Sequence, residues 1–164
     1  MESLFDWIGN SSFGIFMAEN ATAFPMTEAI HVLAISIVIG VIAVVDLRLV
    51  GLASKSYRVT RLSSTLLPLT WIAFVVAVIT GLLLFASKPQ AYFDNFYFRL
   101  KMVALVLAGL NMMVFHFLTW RGVESWDASD RMPPAARAAG FISLVLWVVV
   151  VTCGRWIGFT MDPF

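Results

Sequence analysis

Four long, predominantly apolar runs dominate the chain, at about residues 27–52, 66–85, 96–120 and 135–158. Each is as long as the roughly 20 residues that carry an α-helix across a hydrocarbon core. They are too long and too uniformly apolar to be barrel strands, which alternate over about ten residues. Composition agrees. Sixty per cent of the 164 residues are apolar and only 13% are charged, against about 25% charged in soluble domains. A soluble fold of this size has too much surface to hide that excess. The formal charge of +1 leaves no basic surplus for phosphates, so nucleic-acid binding is not expected. The single cysteine, Cys153, excludes a disulfide framework and any multi-cysteine metal site.

The expected fold is therefore all-α, an integral membrane four-helix bundle. Local punctuation supports the four runs. Thr27 is a candidate N-cap for the first, Pro68 falls in the first turn of the second, and Ser87-Lys88-Pro89 closes it. Asp94-Asn95 is placed to cap the third, and Pro133-Pro134 opens the fourth. Residues 1–24 lack a basic n-region and do not read as a signal peptide. They mix Leu4, Phe5, Trp7, Phe13 and Phe16 with small polar residues, which reads as an interfacial amphipathic segment of one or two short helices. Residues 25–164 form the bundle.

Basic residues set the expected orientation. Arg48, Lys55, Arg58, Arg61, Arg121, Arg131 and Arg137 lie toward one side. Only Lys88, Arg99, Lys101 and Arg155 lie toward the other, where the first helix starts. The richer side is read as cytoplasmic, which gives a multi-pass protein of the bacterial inner membrane with both termini periplasmic.

An ionisable group inside a span costs about 2.5–3.5 kcal/mol on insertion scales, so the few present are the candidate functional residues. Glu28, His31, Arg99, Lys101 and Arg155 lie near the outer helix ends. Asp46, Arg48, His116 and Arg137 lie near the inner ends. Arg48, Arg99 and, less than one turn deeper, Lys101 also fit simple snorkelling to headgroups. Arg155 with Trp156 fits an anchor at its helix end, and Ser36–Gly40 is a small-xxx-small pair that would admit a close helix.

Two histidines in such a protein point to heme b, with His31 and His116 as candidate iron ligands. Yet His31 lies about four residues into helix one and His116 about nineteen into helix three, levels roughly 20 Å apart at 1.5 Å per residue. One haem bridged within a protomer is disfavoured, and one haem per layer is the surviving version. Copper on His31 with Met26, Met102 or Met161 is a lesser alternative. The outer bases also suit propionates, a carboxylate or a semiquinone.

The stretches Glu28-Ala-Ile-His31 and Asp46-Leu-Arg48-Leu-Val-Gly51, with Leu67-Pro68, Thr80-Gly81, Arg99-Leu-Lys101, Asn111 through His116, Pro134-Ala-Ala-Arg137 and Gly154-Arg155, resemble a bacterial family of small four-helix membrane proteins without assigned function. The resemblance spans nearly the whole chain and implies the same architecture but no activity. A looser likeness to membrane cytochrome b and copper-resistance domains is architectural only. The leading expectation is an inner-membrane redox component, carrying electrons or shaping a haem or quinone site. Besides the lipid bilayer, its expected partners are a periplasmic or membrane redox protein and further subunits of an oligomer or complex. The alternatives are a non-catalytic anchor subunit and a small oligomeric transporter or channel. No nucleophile–base pair or phosphate loop supports hydrolase or kinase chemistry.

Overall fold

A computed structural model describes residues 4–53, 56–127, 129 and 132–161. Lys55 and Arg131, used above for orientation, lie outside the described residues, as do residues 1–3 of the N-terminal segment. Two short helices, α1 (Leu4–Gly9) and α2 (Ser12–Glu19), precede the long ones. Next come α3 (Ala23–Val50), α4 (Val59–Ser87), the short α5 (Pro89–Asp94), α6 (Phe96–Val114) and α7 (Pro134–Thr160). Beyond Val114 the third run continues as a π-helical turn, Phe115–Thr119, and a 3-10 turn, Trp120–Ser125. Four helices are long and apolar enough to cross a membrane, and no strand occurs among the described residues. The fold is an all-α membrane helical bundle.

Helix ends explain where the boundaries fall. Asn20, not Thr27, opens α3: its Oδ1 accepts the amides of Thr22 and Ala23 at 3.0 and 2.9 Å. Asn95 caps α6, accepting from the amides of Tyr97 and Phe98, and Pro134 takes the first position of α7, both as expected. The second span begins at Val59, seven residues before the apolar run, so Pro68 is an interior proline rather than a first-turn one. Its cap comes from far along the chain. Asp127 accepts the Thr60 amide at 2.8 Å and the Thr60 hydroxyl at 2.6 Å, and its carbonyl faces the Val59 amide. Burial alone would raise the Asp127 carboxyl. The Thr60 hydroxyl and amide, with Arg58 and the Val59 amide, outweigh burial and hold it below the ordinary aspartate value. A depressed folded-state pKa gives stability that is complete above the unfolded value and is lost as pH falls through the folded one. Asp127→Ala should therefore lower unfolding stability by about 1–2 kcal/mol at neutral pH. The gap from wild type should close below pH ~4; a gap that persists in acid would mean the carboxylate is not the cap.

The helices pack in series, α4 on α3, α3 on α7, and α7 on α6, while α2 lies against α4. α3 and α7 meet closely where Gly140 faces α3: a Cβ there would stand 3.0 Å from the Asp46 carbonyl oxygen and 3.0 Å from Leu49 Cβ. The best-packed core is at the end of the bundle away from the termini. Leu49, Val59, Phe115, Trp126, Met132 and Ala136 bury one another there, and Trp120 and Val123 cover them. The π turn and 3-10 turn bring Phe115 and Trp120 onto this core. At the terminal end, Asn95 donates to the Thr160 hydroxyl at 2.9 Å, tying the start of α6 to the end of α7. Large apolar side chains such as Leu33, Ile72, Leu82, Val106 and Val148 are exposed around the outside, as a lipid-facing surface requires.

Candidate functional site

The polar residues of the terminal end divide by helical phase. Arg99 and Lys101 are two apart on α6, so their side chains leave the helix on nearly opposite sides. Lys101 is half-buried and Arg99 exposed. Cys153 and Arg155 repeat the pattern on α7. Cys153 is buried, while exposed Arg155 sets its guanidinium 4.6 Å over the Phe159 ring of its own helix. Glu28 is exposed too, within electrostatic reach of the Tyr92 hydroxyl. Burial, with that carboxylate adding to it, pushes the Tyr92 phenol up to about 12. Of the five residues expected to cluster at this end, the structure turns two inward, His31 and Lys101.

His31 crosses from α3 to α4. Its Nδ1 lies 2.9 Å from the Thr80 hydroxyl oxygen, and the Cε1 corner of its ring abuts Gly81, where a Cβ would stand 3.0 Å from it. The Ala77 carbonyl is also within hydrogen-bonding reach of the ring. From the other half of the bundle, Lys101 brings its Nζ to Gly154, 3.9 Å from where a Cβ would be. Its ammonium is within electrostatic reach of both Cys153 and His31. An imidazole held on α4 and an ammonium carried by α6 and lodged on α7 are thus within electrostatic reach of each other.

Above them is an aromatic layer. Phe85 and Phe98 stack at 5.6 Å and 19°, and Tyr92 touches both, at 6.1 and 5.5 Å. Phe5 of α1 closes on Phe85 and Phe93. Gly81 and Lys101 lie four and three residues inward of Phe85 and Phe98, roughly one helical turn, ~5 Å. The Phe85–Phe98 pair therefore roofs the His31–Lys101 space on the terminal side. Below the roof α4 and α6 do not pack against each other along their length.

The opposite layer is built differently. Arg48 is fully buried rather than snorkelling. Its Nε donates to the Tyr57 carbonyl at 2.9 Å and one terminal nitrogen to the Ser129 carbonyl at 3.1 Å, while the other has no partner. Asp46, also buried, faces Ser143 of α7 and keeps an unpartnered Oδ2. Arg48 and Asp46 do not pair through these orphaned atoms. His116 lies in the π turn on the outside of the bundle, its Nδ1 3.1 Å from the Met112 carbonyl and its ring stacked on Trp120 at 5.5 Å. Arg137 is exposed. The structure does not bring His116 to His31. Met26 and Met102, considered as soft ligands beside His31, are both exposed. Among the described residues no three His, Cys, Asp or Glu side chains are grouped to hold a metal. Ser36 and Gly40 face outward, with nothing within 4 Å of a Gly40 Cβ. Sequence reading did not single out Thr80 or Asp127. Thr80 is a hydroxyl residue inside the second apolar run that entered only through the family resemblance, and Asp127 is one of several polar residues in the connection before the fourth run.

The profile of a family of unknown function, DUF6644, matches residues 2–160. The chain belongs to this family. Nearly its whole length is covered, both short N-terminal helices and all four spans included. No curated protein and no solved structure is matched. Membership in DUF6644 assigns no chemistry to His31 and Lys101.

Proposed function

We propose that the protein is a membrane redox component that binds a quinone from the lipid between α4 and α6, in the half of the bilayer next to its termini. The observation that carries this reading is that His31 and Lys101, the two inward-turned polar groups of this end, lie within electrostatic reach of each other one turn inward of the stacked Phe85–Phe98 pair. A quinone ring is flat, apolar and lipid-borne, and carries polar atoms only at its ring oxygens. It calls for aromatic surface and one or two hydrogen-bonding groups. The site offers both. The excess of basic residues at the opposite end supports bacterial inner-membrane placement with periplasmic termini. A reporter fused after residue 160 that is active only in the cytoplasm would reverse it.

The test is equilibrium binding of a short-chain ubiquinone to the full-length protein in nanodiscs. Wild type should bind, and Lys101→Met should weaken binding about tenfold, the worth of one good hydrogen bond in a dry site; His31→Ala should weaken binding of the corresponding quinol by as much. Arg99→Met, on the outside of the same helix, should bind as wild type does. A wild-type protein that binds no quinone overturns the reading and leaves the anchor role standing.

A b-type haem on His31 is the second reading. It is favoured by the way Nδ1 is engaged by Thr80, which leaves Nε2 for a metal, as ligating histidines commonly are held. A Soret band in the purified protein that His31→Ala removes and His116→Ala does not would decide for it. A colourless folded protein would decide against it.

A further inference from the structure

The Thr80 hydroxyl has one proton and three neighbours that compete for it. They are the Val76 carbonyl at 2.7 Å, the Ala77 carbonyl at 3.2 Å and His31 Nδ1 at 2.9 Å. Two oxygens 2.7 Å apart repel unless a proton lies between them, so the hydroxyl proton goes to Val76, the usual back-bond of a threonine within a helix. Toward His31, Thr80 then presents only a lone pair. The Ala77 carbonyl, the other group within reach of the ring, is likewise an acceptor. A neutral imidazole seated against acceptors carries its proton on the nitrogen that faces them, here Nδ1, and Nε2 keeps a lone pair.

We propose that Thr80 is a positioning residue that fixes His31 as the Nδ1-protonated tautomer, so that the site takes the hydroxyl-bearing reduced quinol in preference to the quinone. The preference rests on the quinone reading above. A quinol hydroxyl donates to the Nε2 lone pair, and its oxygen accepts from the Lys101 ammonium. A quinone carbonyl has no proton to give, and meets Nε2 lone pair to lone pair. The three donors of Lys101 serve both forms, so Lys101 binds without discriminating and His31 supplies the difference.

The chain has two histidines, His31 and His116, which makes the tautomer directly readable. Full-length protein labelled with 15N-histidine, in nanodiscs above neutral pH, should show His31 protonated at Nδ1 and bare at Nε2, with His116→Gln identifying the second set of signals. A short-chain benzoquinol should bind about tenfold more tightly than its quinone, the worth of one hydrogen bond to an otherwise dry acceptor. Thr80→Val keeps the shape and removes the acceptor. It should mix the two tautomers and bring the quinol preference down to near unity, and Thr80→Ser should restore both. Helical circular dichroism of each variant separates misfolding from loss of the contact, and the wild-type spectrum decides the tautomer without any variant. An Nε2-protonated His31, a preference for quinone, or a Thr80→Val protein with wild-type tautomer and preference would each overturn the proposal. Binding of neither form overturns the quinone reading and the preference together, while the spectrum still decides the Thr80–His31 assignment.

Discussion

Replacing Arg48 with alanine is expected to remove about 3–5 kcal/mol of stability, the cost of leaving buried carbonyls without their donor, about 1–3 kcal/mol each, together with the cavity left by the side chain. The guanidinium is wholly enclosed. It holds the carbonyls of Tyr57 and Ser129, one from each of the two connections on the side away from the termini. Those connections frame the core of Leu49, Val59, Phe115, Trp126, Met132 and Ala136, so losing the arginine strands two carbonyls and opens a cavity beneath that core. Arg48→Lys should recover little, because a single ammonium lacks the planar fork that spans both acceptors. Denaturant unfolding of the full-length protein in micelles measures the loss, with Arg99→Ala as the exposed control. Equal effects from Arg48→Ala and Arg99→Ala would show that the buried contacts contribute nothing.

Arg48 also marks the limit of reading polar residues from their insertion cost. The cost rule correctly treats an arginine near a helix end as affordable, because snorkelling is available. It does not register that the chain beyond the helix folds back over this end and buries the group. The same folding back moves the start of α4. The apolar run begins near residue 66, but the cap on Thr60 comes from Asp127, 67 positions away. A carboxylate recruited across that distance leaves no local signature. Asn95, which caps the helix that follows it directly, was legible for the opposite reason.

The terminal site was half legible. His31 and Lys101 stood out by cost alone, but cost cannot tell an inward-facing base from an outward-facing one. Phase could have. Arg99 and Lys101 are two apart, as are Cys153 and Arg155, so on each helix only one of the pair can face the bundle. Thr80 carried no insertion cost that would mark it as functional, because its hydroxyl is satisfied by its own helix, which lets threonine sit among apolar residues without penalty. What joins Thr80 to His31 is the packing of α4 on α3, and which faces meet there is set by side-chain fit rather than by the apolar pattern of either helix. His116 shows the converse. Its depth was readable, while the π turn that carries it on the outside of the bundle depends on how the segment docks.

Gly81→Ala should weaken quinol binding about tenfold or more while leaving the bundle intact. A Cβ at this position would stand 3.0 Å from His31 Cε1, 3.6 Å from Nδ1 and 3.9 Å from Nε2, closer at the first atom than packed carbons approach. The group in the way is the far end of a side chain, so the ring yields and α4 does not. As the ring moves, it leaves the 2.9 Å contact with Thr80 that orients it, and a displacement of about 1 Å is enough to spoil a hydrogen-bonding site. The helix itself prefers alanine to glycine by up to about 1 kcal/mol, so thermal stability should be unchanged or slightly raised, which separates this loss from unfolding. Gly154→Ala is the paired control. Its Cβ would meet Lys101 Nζ at 3.9 Å, an ordinary contact, and binding should stay near wild type. Equal binding by the two alanine variants would show that the seat of His31 on Gly81 does not hold the ligand. Loss in Gly154→Ala alone would move the centre of the site from the α3–α4 half of the bundle to Lys101 and α7.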